Sequence, residues 1–140
     1  MNILFLQGPN LNLLGVKSSQ IDERITLDKL NKHIKKISKT FNSNIKILQT
    51  HKNFKAINFL QRNRGWVNGI IIIPTSWGRY NFDILETIKL LNKRTAMIYF
   101  DNKYSFGSSI EDTIMTANNI KTFLGDPIKT CSESINYLHS

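Results

Sequence analysis

The sequence predicts an α/β protein in which a parallel sheet is covered by helices on both faces. Three observations carry this. The apolar run Ile3-Leu4-Phe5-Leu6 breaks at Gly8-Pro9 into a polar stretch, as a buried strand does on leaving a sheet. Four consecutive isoleucines, Ile70 to Ile73, stand between Gly69 and Pro74. A strand apolar at every position is buried on both faces, which marks a central parallel strand. Strand-like runs alternate along the chain with segments of helical period, the order βαβαβαβ(α)βα, and such crossovers are right-handed.

Taken in order, residues 2–7 are the first strand and the polar residues 16–25 a loop. Thr26 caps a helix whose Leu27, Leu30, Ile34, Ile37 and Phe41 recur at three- and four-residue steps. Lys29, Lys32, Lys35, Lys36 and Lys39 fall off that stripe and read as a solvated face. A second strand runs over 45–49, and a helix over 54–63 with Phe54, Ile57, Phe59 and Leu60 inward. Residues 69–74 form the third strand, and a helix over 81–91 places Phe82, Leu85, Ile88 and Leu91 inward. The fourth strand is 96–100, a short helix is expected over 109–116, the fifth strand is 119–124, and a terminal helix spans 131–138.

At 140 residues and 41% apolar composition the chain reads as one globular domain. No segment approaches the roughly 20 apolar residues of a membrane span. Met1 leads straight into a strand, so no signal peptide is expected. The single Cys131 leaves no internal disulfide, and a reducing cytoplasm is the expected location. His33, His51 and His139 lack metal-ligand spacing, so no metal is expected. The net charge of +9 could attract anionic substrates or nucleic acid. Lys (14), Asn (16) and Ile (20) are all spelled by AT-rich codons, so the composition reads as genomic drift, and nucleic acid is not the expected partner.

The stretch Gly8-Pro9-Asn10-Leu11-Asn12-Leu13-Leu14-Gly15 follows the first strand, where an open α/β sheet binds its ligands. It resembles the signature of the type II 3-dehydroquinate dehydratases. The resemblance implies a flavodoxin-like strand order 2-1-3-4-5, a dodecamer built from trimers, no cofactor, and conversion of 3-dehydroquinate to 3-dehydroshikimate and water. That reaction needs a base for the carbon acid, stabilisation of an enolate, and an acid for the leaving hydroxide.

The resemblance assigns roles by position. Asn10 matches the family's first-loop Asn. The loop Arg falls on Lys17, which keeps the charge and loses the planar fork. The Tyr base falls on Asp22, a weaker base by several units and shorter by a ring. The acid His falls on Arg79, which does not release its proton. A substrate-contacting Asn falls on Ile73, and a Glu-His pair falls on Met97 and Tyr99. The substrate-carboxylate loop falls on Phe100, Asp101 and Asn102, where backbone amides of Phe100 and Asp101 are the expected donors and Asn102 is retained. A further Arg falls near Ile110.

An acid or a base contributes roughly 10²–10⁴-fold each, so the substitutions at Asp22 and Arg79 predict a homologue with little or no dehydratase activity. A rewired, active site would use Asp22 or a tyrosine as its base, with Tyr80 and Tyr99 the candidates, although Tyr99 also reads as core packing. Asp83 and Glu86 read as helix N-terminal charge. Ser76 has no His partner for hydrolase chemistry, and Gly8, Gly15 and Gly78 make no phosphate-binding fingerprint. The third reading is a non-catalytic anion- or RNA-binding or assembly protein.

Overall fold

The structure is a computed structural model of residues 1–140, described here except for Asp22, Glu23 and Asn102. Five strands, β1 (Asn2–Gln7), β2 (Asn44–Gln49), β3 (Gly69–Ile73), β4 (Arg94–Phe100) and β5 (Ile120–Gly125), form one parallel sheet in the order β2-β1-β3-β4-β5. This is the flavodoxin-like order. The helices are α1 (Leu14–Ser19), α2 (Leu27–Thr40), α3 (Asn53–Arg62), α4 (Trp77–Tyr80), α5 (Phe82–Leu91) and α6 (Pro127–Leu138).

Strand alternation divides the core in two. Ile3, Phe5, Ile71 and Ile73 point into the layer under α2 and α6, with Leu30, Ile34, Ile135 and Leu138. Leu4, Leu6, Ile70 and Ile72 point the other way, against Ala56 and Leu60 of α3 and Ile84 and Ile88 of α5. All five residues of β3 are buried, as its isoleucine run requires. Thr26 caps α2 by accepting from Lys29 N–H, and the five lysines of α2 are exposed.

Several local expectations are corrected. Residues 16–19 are helical: Leu11, Leu14 and Ser18 are buried at helical spacing, a period that the polar surroundings mask. Phe54 and Phe82 are 59% and 65% exposed, because the faces of α3 and α5 that turn inward are set by Ala56/Leu60 and Ile84/Ile88. Phe41 is also exposed, stacked on His139. No helix forms over 109–116. The Ile114 N–H donates to Gly78 O, a tertiary contact, and the Met115 N–H to Thr113 Oγ1 two residues back, so neither amide makes a helical bond. α6 starts four residues before the expected 131, because Asp126 caps it and Pro127 opens it. No helix among the described residues is long and apolar enough to cross a membrane.

Candidate active site

The carboxyl edge of the sheet gathers the loops after β1, β3 and β4. Gly8 N–H donates to Ile73 O at 2.8 Å, which stitches the first loop to the end of β3. A Cβ on Gly8 would lie 2.3 Å from Pro74 O, so only glycine permits this approach. Asn10 follows with φ +67°, in the left-handed region that Asn tolerates. Buried Leu11 and Leu14 pin the loop to the core. Lys17 lies in the last turn of α1, where a cation complements the helix dipole. The Ser18 hydroxyl donates to Ile25 O and accepts from Ile25 N–H, closing the segment that follows.

Asn10 has a neighbour from the next loop along the sheet edge. His51, just beyond β2, accepts the Asn10 N–H through Nδ1 at 3.1 Å. When neutral, its Nε2 therefore carries the proton. Nothing local in the sequence marks this contact, which the β2–β1 pairing creates. His51 also lines a cleft of about 360 Å³ with Asn53, Trp77, Tyr80, Asn81, Phe82 and Asp83. Tyr80, one of the residues lining this cleft, is 59% exposed.

After β3 the chain turns sharply. Thr75 has φ +48°, and its buried hydroxyl oxygen has no partner among the described residues. The Ser108 hydroxyl donates to Thr75 O. Gly107 lies so close that a Cβ there would sit 2.4 Å from Ser76 N. The loop after β4 is thereby folded over the β3–α4 turn. This brings Asp112 to Arg79, with Arg79 Nε 3.4 Å from Asp112 Oδ2. The Ser109 N–H bonded to Asp112, together with the Ser109 hydroxyl and the Arg79 charge, holds that carboxyl below the usual aspartate range.

The other matched positions are more enclosed. Ile73 is 2% exposed and Phe100 6%, both within the core layer under α2 and α6, so neither side chain is placed to contact a ligand. The Asp101 N–H donates to Gly125 O at 2.9 Å, continuing the β4–β5 ladder. The carboxylate cradle expected at Asp101 is thus already filled by a backbone carbonyl. One oxygen of the Asp101 carboxyl is buried without a partner among the described residues and would repel an anion. Asp22 and Asn102 lie outside the described residues.

Tyr99 is buried, and its hydroxyl is bonded to Thr113 Oγ1. Burial pushes its pKa up to about 12, the wrong direction for a base at neutral pH. Thr113 in turn donates to Gly78 O, so the pair belongs to the packing of α4. Cys131 is buried and its thiol is likewise pushed up, leaving it inert as a nucleophile. Among the described residues no three His, Cys, Asp or Glu side chains are grouped as metal ligands are.

The Dehydroquinase class II family profile matches residues 1–130. The chain is 32% identical over 102 residues to a 3-dehydroquinate dehydratase of Clostridium acetobutylicum, covering 73% of this chain and 71% of that protein. It is 32% identical over 103 residues to that of Clostridium botulinum, covering 74% and 70%. In structure it is similar to the type II dehydroquinase from Butyrivibrio crossotus, with TM-score 0.85 and 22% identity over 100% of this chain and 98% of the other. A 3-dehydroquinate dehydratase-like protein from Bifidobacterium longum is more distant, with TM-score 0.67 and 13% identity over 99% and 94%. The Gly8–Gly15 loop, the β2-β1-β3-β4-β5 sheet and the match over residues 1–130 agree: the chain belongs to the class II dehydroquinase family.

Proposed function

We propose that this protein keeps the dehydroquinase scaffold without the family's acid–base machinery, and dehydrates 3-dehydroquinate very slowly or not at all. The observation that carries this reading is Arg79. It occupies the position matched to the general acid, is always protonated, and is paired with Asp112. Three further observations support it. Tyr99 is held neutral in the core, Ile73 offers no polar atom, and the Asp101 amide is taken by Gly125. In this reading Asn10 and Lys17 are the remnants of the family site, Asp22 stands in for its base, and Asn102 is its retained loop Asn. The chain works without a cofactor, in the cytoplasm, and assembles as trimers within a dodecamer.

A second reading has one observation in its favour. His51 presents an imidazole beside Asn10, and an imidazole is the side chain best suited to proton transfer near neutral pH. A rebuilt dehydratase would use His51 or the exposed Tyr80. The test is direct. Purified protein is mixed with 3-dehydroquinate and the ultraviolet absorbance of the conjugated enone product is followed. No turnover from folded protein is the expected result. Turnover abolished by His51→Ala would replace the first reading with the second.

A further inference from the structure

Charge is segregated along this chain. The 54 residues from Lys29 to Phe82 carry eleven of the nineteen Lys and Arg and none of the ten Asp and Glu. The rest of the chain is slightly acidic. Codon drift adds lysine throughout a sequence and does not clear carboxylates from one contiguous stretch of 54 residues in 140. The acid-free segment runs through α2, the edge strand β2, α3, the central strand β3 and α4, and nine of its eleven cations fall between Lys29 and Arg62, on α2, β2, α3 and the turn before α3, along the β2 border of the sheet.

Between β2 and α3 this border opens into a groove of about 430 Å³ lined by Leu48, Phe54, Lys55, Asn58, Phe59 and Arg62, with Asn63 at its end. The lining follows from helix geometry. Phe54, Asn58 and Arg62 form one ridge at four-residue steps, and Lys55 and Phe59 the adjacent one. Ala56 and Leu60 are buried against the sheet on the opposite side. Lys55 and Arg62 are exposed, and neither is paired with a carboxylate among the described residues. Lys46 stands over the Trp66 ring at 4.2 Å and donates to Asn63, extending the basic border. The Asn58 amide makes no side-chain hydrogen bond among the described residues.

We propose that the β2–α3 groove binds single-stranded nucleic acid, with phosphates held by Lys55 and Arg62 and a base stacked on Phe54. A cationic groove with a stacking aromatic is the arrangement that holds single strands without strong sequence preference. Charge complementarity selects this occupant over a second copy meeting the groove about a two-fold axis. Such a contact would set Lys55 and Arg62 against their own counterparts. The inference is independent of whether the protein dehydrates 3-dehydroquinate.

The test is fluorescence anisotropy of the full-length protein with a labelled oligouridylate about 12 nucleotides long. Binding is expected to weaken steadily with salt. Phe54→Ala should weaken it by about 5- to 100-fold, the usual loss of one base–aromatic stack. The double variant Lys55→Gln/Arg62→Gln should lower the salt slope by about 1.4, for two single-strand phosphates released. The double variant Lys35→Gln/Lys36→Gln, an equal change of charge on α2, should leave both quantities nearly unchanged. All five substituted positions are exposed, and circular dichroism verifies that each variant is folded. Equal losses in the two double variants with none in Phe54→Ala would mean nonspecific attraction and overturn the proposal. So would competition by polyglutamate as strong as by RNA, or no binding at about 0.1 M salt because a second copy covers the groove.

Discussion

Arg79 Nε lies 3.4 Å from Asp112 Oδ2, and the pair ties α4 to the loop after β4 at the edge of the candidate site. Asp112 also accepts the Ser109 N–H at 2.7 Å and the Ser109 hydroxyl at 3.2 Å. The carboxylate therefore closes a turn as well as engaging Arg79.

Asp112 has a lowered folded-state pKa, first through the Ser109 N–H, then the Ser109 hydroxyl and Arg79. Its contribution to stability is present above the unfolded aspartate pKa and lost as pH falls through the folded one. Asp112→Asn should thus lower Tm at neutral pH, and its gap to the wild type should close as pH falls below the ordinary aspartate pKa of about 3.9. Thermal melts across that range check this. A gap independent of pH would mean that the charge is irrelevant.

Tyr99 behaves in the opposite sense. Burial raises its folded-state pKa to about 12, so the unfolded phenol ionises first on the alkaline side. Its stabilising contribution is complete below the ordinary tyrosine pKa of about 10 and is lost as pH rises toward 12. Tyr99→Phe should cost about 0.5–1.5 kcal/mol at neutral pH, for the hydrogen bond to Thr113. It should also flatten the alkaline fall in stability. Denaturant melts at neutral and alkaline pH read both effects.

Gly8→Ala forces a Cβ to within 2.3 Å of Pro74 O, and a Cβ fixed rigidly to its Cα and a backbone carbonyl cannot move apart by a change of rotamer. The loop after β1 must separate from the β3 turn, with a loss of about 1–3 kcal/mol, as for overpacked cores. Chemical denaturation measures it, with a lower midpoint at unchanged slope expected.

Thr75 holds a β-branched side chain at φ +48° with a buried, unpartnered hydroxyl. Thr75→Gly removes a left-handed strain of about 1–2 kcal/mol, and with it the orphaned oxygen. The variant should melt higher than the wild type. A lower Tm would show that the packing of the Thr75 methyl outweighs both terms.

The strands were legible in the sequence because burial on both faces leaves continuous apolar runs, Ile3–Leu6 and Ile70–Ile73, that no other element explains. Helix register was less legible. Phe54 and Phe82 are as apolar as the residues that do turn inward, and only the position of the sheet decides that Ala56 and Ile84 face it instead. The Gly8–Gly15 motif was sufficient to indicate the family. The state of the site was not legible, because its decisive contacts join residues far apart in the chain: Asn10 with His51, Arg79 with Asp112, Tyr99 with Thr113, Asp101 with Gly125. Local sequence determines which segments leave water and with what period. The crossovers of a parallel sheet decide which loop ends meet, and at this edge the meetings pair Arg79, Tyr99 and the Asp101 amide with other parts of the chain while leaving the Thr75 hydroxyl and one Asp101 oxygen buried without a partner among the described residues.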